Sequence, residues 1–589
     1  MFMLEAENRL RAILDLISVW LRTPEIQHVQ LVSVGLCRDC RKMTDFHCHV
    51  SLATPPSILV DWGLKKASGS KEERKSRVDP LRVRELTFEG HRLALADNDG
   101  QAGEDVILPA SLTRLNLGGE FNDVVQNVAW PPGLQRLTFG SCFNQAVDGV
   151  AWPPGLQELS FGACFAQPID GVVWPVGLRK MSFGMCFNQP LDGVTWPATL
   201  EKLTFRGFFD KSLDGVAWPA GLQELHLGDF FNQGIDRVVW SAGLKRLVFG
   251  ERFNMPVKGV VWPAGLERLV FGSDFNQTIE GVLWPEKLQE LTFGIFFNQA
   301  VDAVVWPHEL ECITFGVSFN QPLDRVVWPP GLARITFGED FDQPVYGVAW
   351  PAGLRELHFG DRFNQAVEGV MWPMSLQILS FEEDFDQPVQ RSRWPTGLRE
   401  LTFGGSFDQA LDGVIWPERL QKLSLGYSYD QPLDGVVFPM GLQQLTFGDN
   451  FDWPLEAVAL PKCLKELTLG ASFNKPVDAV RWPEGLQQLT FGQRFNQPLG
   501  GVRWPLGLRV LRLGDFFNLP LSGVKFPAGL QELSFGVQFN QAVHEVEWPA
   551  GIRKISFGED FDQPVDLVAW PEGLRALVFQ GSLGYDGVS

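Results

Sequence analysis

The stretch Trp130–Ala151 reads WPPGLQRLTFGSCFNQAVDGVA, and the stretch that follows it, Trp152–Val173, reads WPPGLQELSFGACFAQPIDGVV. The second is the first rewritten 22 residues on, and the register holds from Leu108 to Trp570 without an insertion. It marks 22 positions, of which 18 hold Trp and the others Phe438, Phe526, Leu108 and Leu460; Pro follows every one except at Ser241. A repeat this short and strict means a stack of like units rather than separate domains. It overrides the several domains that 589 residues would otherwise suggest.

Within one unit the constant apolar positions are Leu134, Leu137, Phe139, Phe143, Val147, Val150 and Trp152. Their spacing fits no helix. Only Arg136–Phe139 alternates as a strand does. Gly140, Asn144 and the Asp148–Gly149 pair suit tight turns, which Gly and Asn accommodate through positive φ. Pro153 turns the chain again. One strand and several turns cannot hide seven apolar side chains alone. Stacked on its neighbours at about 4.8 Å, the unit can, and each large buried side chain contributes about 1.5–3 kcal/mol. One extra residue would move every column out of its stack.

The pattern LQRLTF at Leu134–Phe139, with a later Asn, resembles a leucine-rich repeat. The fuller match, through Phe187-Asn188-Gln189-Pro190 and its equivalents, is to the FNIP repeat family, a leucine-rich-repeat relative, over about residues 86–580. The resemblance implies a curved right-handed solenoid with one short parallel strand per unit, used for protein interaction and carrying no catalytic residues. It also implies that Asn144 and its equivalents hydrogen-bond backbone from one unit to the next. Some members carry an F-box before the repeats; residues 1–80 show no convincing F-box pattern.

The expected organisation is a small, partly helical head at 1–64 with a helix at 4–22, a polar basic linker at 65–80, a capping unit at 81–107, a solenoid of 21–22 repeats at 108–580, and a tail at 581–589. The linker, KKASGSKEERKSR at 65–77, also fits a nuclear-import patch. The tail is a meagre cover for an apolar end, which predicts fraying or pairing with another copy; a monomer is expected.

Composition narrows function. A net charge of −20 disfavours nucleic acid. Eight Cys make no disulfide framework, charged residues interrupt any signal-peptide core, and no long apolar run spans a membrane. An intracellular, cytoplasmic protein without membrane contact is expected. No P-loop, G-x-S-x-G or H-E-x-x-H is present, so no enzyme is expected.

Columns that vary mark surface. The column at 136 holds seven basic and three acidic residues in its first eleven units, then two Lys and four Glu in its last eleven. Its basic members Arg114, Arg136, Lys180, Lys202, Arg246, Arg268 and Arg334, with His226 and His358 two positions on in their strands, are the candidate partner-binding residues on the concave sheet. Variable turn residues such as Ser141, Glu251, Arg252, Asp361 and Arg362 would add contacts. Solvated charge and β propensity are the plainer readings. Cys37, Cys40, His47 and Cys48 suit zinc chemically, though the spacing fits no common finger; no other cofactor is expected. Cys142, Cys164 and Cys186 share one column, open to a soft metal or a disulfide. Asp386, Asp408, Asp430 and Asp452 replace Asn in four successive units, where carboxylates that cannot donate predict a changed ladder. The functional expectation is a scaffold gripping an extended protein partner. Alternatives are a ubiquitin-ligase substrate receptor with an adaptor-binding head, and a carbohydrate or surface-recognition protein.

Overall fold

The computed structural model describes residues 51–52, 84–88 and 108–580. The head helix at 4–22, the zinc candidates Cys37, Cys40, His47 and Cys48, the linker, most of the capping unit and the tail lie outside the described residues.

The described chain is one parallel sheet with every strand beside the next in sequence. Strands β1 (Ser51–Leu52) and β2 (Glu85–Phe88) lead to β3 (Arg114–Asn116). From β4 (Arg136–Thr138) onward one strand follows every 22 residues, to β23 (Lys554–Phe557) and β24 (Ala576–Phe579). Leu137 lies opposite Leu159, and Leu159 opposite Met181. The register across the irregular cap is Leu86 opposite Leu115. β1 pairs with β2 from inside the segment read as head.

Three-residue strands have the middle residue buried and the flanks partly open, as in Arg136-Leu137-Thr138, except that Ser380 is buried too. The rest of the unit wraps a core of superposed columns. Phe143, Phe165 and Phe187 are fully buried, with successive ring centroids 6.0 and 6.1 Å apart. Phe139 and Phe161, nearer the sheet, stack at 5.4 Å, and Trp152 and Trp174 at 6.0 Å. Ring spacing above the strand repeat of about 4.8 Å means that the stack fans away from the sheet. The strand side is therefore the tighter, concave one.

Two residue roles differ from those read in sequence. Gly140 does not serve a positive φ. A Cβ there would lie 1.4 Å from the Gly118 carbonyl oxygen, and at Gly294 it would lie 1.7 Å from that of Gly272. The column is Gly in most units because consecutive backbones touch; Arg206 and Glu382 depart from it. Gly149, at φ +72°, is the one that needs left-handed freedom. The Asn column keeps its ladder through the Asp run. The Asn144 Oδ1 accepts the Ala166 N–H at 2.9 Å, and the Asp386 Oδ1 accepts the Asp408 N–H at the same 2.9 Å. The ladder uses only an acceptor oxygen, which a carboxylate supplies as well as an amide. Gln167 Nε2 donates to the same Asn144 oxygen at 3.0 Å.

The core contains polar groups without partners. The indole Nε1 of Trp130, Trp306 and most other members of that column is buried and unpaired, as is the hydroxyl of Tyr429. Tyr429 takes a Phe position, with its ring stacked between Phe407 and Phe451 at 6.1 Å from each. Burial pushes its phenol well above the usual tyrosine range, and Asp408 and Asp412 add to that. In the final unit, Val565, Trp570, Leu574 and Leu577 are only partly buried, and β24 ends the sheet.

Candidate binding surfaces

Three surfaces run along the described stack. The first is the outward face of the sheet. The column at 136 places all seven candidate cations there, and each meets a glutamate one strand away. Arg114 pairs with Glu85; Arg136 and Lys180 both pair with Glu158 between them, Lys180 at 3.2 Å. Lys202 and Arg246 flank Glu224 at 2.9 and 3.2 Å. Arg268 pairs with Glu290, and Arg334 with Glu356 at 2.5 Å. The stripe is thus a ladder of internally paired charges, each pair part-exposed and worth little in stability. Reading the column down the register, rather than counting its charges, is the signal that would have found the pairs.

These contacts set the local titration. Burial pushes the Glu158 carboxyl up, but hydrogen bonds from Arg136 and Lys180 outweigh it and hold it below the usual range. Glu224 is held low in the same way by Lys202 and His226. His226 Nε2 lies 2.7 Å from Glu224, and His358 Nδ1 lies 2.7 Å from the Ser380 hydroxyl. Burial depresses both imidazoles. Beside the strands, a groove of 660 Å³ is floored by the touching glycines, with Glu251, Glu339, Asp361 and His358 among its lining residues. Its acidic lining is the opposite of a basic stripe.

The second surface follows the Asn ladder. A cleft of 850 Å³ is lined by Asp340, Asp342, Asp384 and Asp386 around Arg362, which pairs with Asp340 at 2.9 Å. Arg252 pairs with Asp274 in the same column. Farther along the ladder, Lys475 meets Asp452, the last Asp of the run, at 2.8 Å. In the column that holds Arg252 and Arg362, Cys142, Cys164 and Cys186 are free thiols, with Cys164 exposed.

The third surface was given no role in the sequence reading. The residue before each column Trp points outward on the return leg of the unit, and where it is apolar it is left open: Val239, Leu283 and Val327 are 80%, 83% and 77% exposed. Its signal was variability, since this column also holds Arg393, Arg481, Arg503, Lys525 and Glu547.

Comparison with known proteins matches this geometry. The FNIP Repeat family model matches residues 253–296, 297–340, 363–406 and 429–472. A solved structure titled as that of CroV588, "a novel circular LRR protein structure", is 34% identical, with 84% of this chain and 79% of that chain covered and a TM-score of 0.67. A TLR13–ssRNA13 complex (12% identity, TM-score 0.32, covering 80% of this chain and 92% of that one) lies much farther off. So does an internalin, inlF, of Listeria monocytogenes (10% identity, TM-score 0.33, covering 51% and 83%). No curated protein matches the sequence. Among the described residues no helix is long and apolar enough to cross a membrane. The chain belongs to the FNIP-repeat proteins, within the leucine-rich-repeat class.

Proposed function

We propose that this chain is an intracellular protein-interaction scaffold that holds an extended protein partner along the concave face of its sheet, without a catalytic step of its own. The observation that carries the reading is the contrast between columns. Leu137, Phe143 and their equivalents barely change from unit to unit, while the outward strand and turn positions do. Only the outward side chains differentiate one part of this face from another, and a partner spanning many units would be recognised by their order. Free thiols at Cys142, Cys164, Cys186, Cys312 and Cys463 support a reducing compartment. The reading needs no cofactor and takes the chain as a monomer.

The test inverts the local field while keeping the pairs. Arg268→Glu combined with Glu290→Arg, and Arg334→Glu with Glu356→Arg, preserve the ladder and reverse its polarity. Partners captured by the full chain should be lost or weakened by the swaps, and cross-links from a captured partner should fall on outward strand positions. Capture untouched by both swaps, with cross-links elsewhere, would overturn the concave-face reading.

A further inference from the structure

We propose that the return leg of the units carries a second docking surface, built for a basic amphipathic helix of a partner protein. From Val239 to Met371 the residue before the column Trp (or its equivalent) is apolar in seven consecutive units. Its large members stand open to solvent, with Val261 and Val305 at 76% and 80% exposure. A soluble protein rarely leaves so long an apolar row uncovered without a use for it. The same column is apolar and open again at Val173, beyond Thr195 and Ala217, and there Val173, Val176, Thr195 and Pro197 help line a cleft of 360 Å³.

Charge and spacing identify the occupant. Three residues before this row runs a second exposed column, acidic at most positions: Asp170, Asp192, Asp214, Asp236, and then Glu280, Asp302 and Asp324, with Lys258 and Tyr346 interrupting it. Asp236 and Asp324 lie 3.9 and 3.8 Å from the neighbouring Arg237 and Arg325. Three residues reach no more than about 10 Å, so the carboxylates flank the aliphatic row. Among the described residues Asp170, Glu280 and Asp302 have no ion-pair partner, unlike the glutamates of the sheet. The adjoining tryptophans set the repeat: Trp262 and Trp284 lie 6.3 Å apart, and Trp306 and Trp328 6.0 Å. Four residues of an α-helix rise about 6 Å, so apolar side chains on one helical face would meet one unit each. Lys or Arg beside that face would meet the carboxylates of Glu280 and Asp302 and share that of Asp324 with Arg325. Toward the C-terminus the pattern ends: Arg481, Arg503 and Lys525 take the apolar places, and Gly500 and Ser522 the acidic ones. The surface is therefore confined to part of the stack, as a specific seat would be.

The probe is a fluorescent peptide of about 20 residues made of Leu and Lys, with Leu on one helical face, titrated onto the full chain by anisotropy. A second peptide replaces every Lys by Glu. The triple variant Val261→Ser, Leu283→Ser, Val305→Ser should weaken the Lys peptide about tenfold or more, with its thermal melt unchanged because the positions are exposed. Glu280→Gln with Asp302→Asn and Asp324→Asn should weaken it too and flatten its salt dependence. Glu251→Gln with Glu339→Gln and Asp361→Asn, which removes as much charge from the groove beside the strands, should leave binding unchanged. Failure of the Lys peptide to bind, equal binding of the Glu peptide, or undiminished binding by the Ser triple variant would each overturn the proposal. So would loss of binding only in the sheet charge-swap variants, which would place the peptide on the concave face. The swaps and the Ser variant fail independently, so the two surfaces are tested separately.

Discussion

Two apolar columns sit eight residues apart in every unit and meet opposite ends. The column of Phe143 is Phe in 20 units and Tyr429 in one, and its members are fully buried through most of the stack. The column of Val173 and Leu283 is as apolar in many units, yet both residues are 83% exposed. Hydrophobicity alone does not separate them. What separates them is constancy: a position that must stack on its own copies tolerates one shape, whereas an open position tolerates Val, Leu, Met, Arg, Lys and Glu. The first column holds the stack together, and the second is free to carry recognition.

The comparison is broken hardest by Phe297→Ala. Phe297 is packed between Phe275 and Phe319 at 6.0 and 6.1 Å, and its loss should cost about 3–5 kcal/mol in urea unfolding. Next comes Gly294→Ala, whose Cβ would meet the Gly272 carbonyl oxygen at 1.7 Å. The forced backbone shift should cost about 1–3 kcal/mol and speed amide exchange in the two units concerned. Asn298 sharpens the acceptor argument. Its Oδ1 accepts the Asn320 N–H at 3.0 Å, so Asn298→Ala should cost about 1 kcal/mol, and Asn298→Asp should cost almost nothing at neutral pH.

Tyr429→Phe should move the other way. It removes a buried hydroxyl with no partner and should raise stability by about 1 kcal/mol, with Tyr absorbance reporting the loss of a phenol that resists ionisation. The smallest effect is on pH. His226 and His358 are depressed by burial, so the unfolded chain takes up protons first as pH falls. Their contribution to stability is present above about pH 6.5 and is lost as pH drops toward the folded values. His358→Gln should flatten that slope in a pH series of melts.

Much of this was legible in the sequence because a repeat is its own comparison. The strand at Arg136–Thr138, the inward Leu137 and the Phe stack follow from period and constancy. The remainder needed the third dimension. Gly140 reads the same whether Gly is required by φ or by contact with Gly118. Asp386 reads as a break in an amide ladder until its Oδ1 is seen accepting the next N–H. Arg136 and Lys180 read as free cations until Glu158 stands between them.

The most direct test sets Leu283→Ala beside Phe297→Ala in urea unfolding followed by tryptophan fluorescence. The two positions lie in adjacent units, and Leu283→Ala still removes three apolar carbons where Phe297→Ala removes a ring. The account predicts a large fall in midpoint for Phe297→Ala and a change within about 0.5 kcal/mol for Leu283→Ala. Comparable destabilisation by both would contradict it, because the open row would then be packed against something in the folded protein rather than held free for a partner.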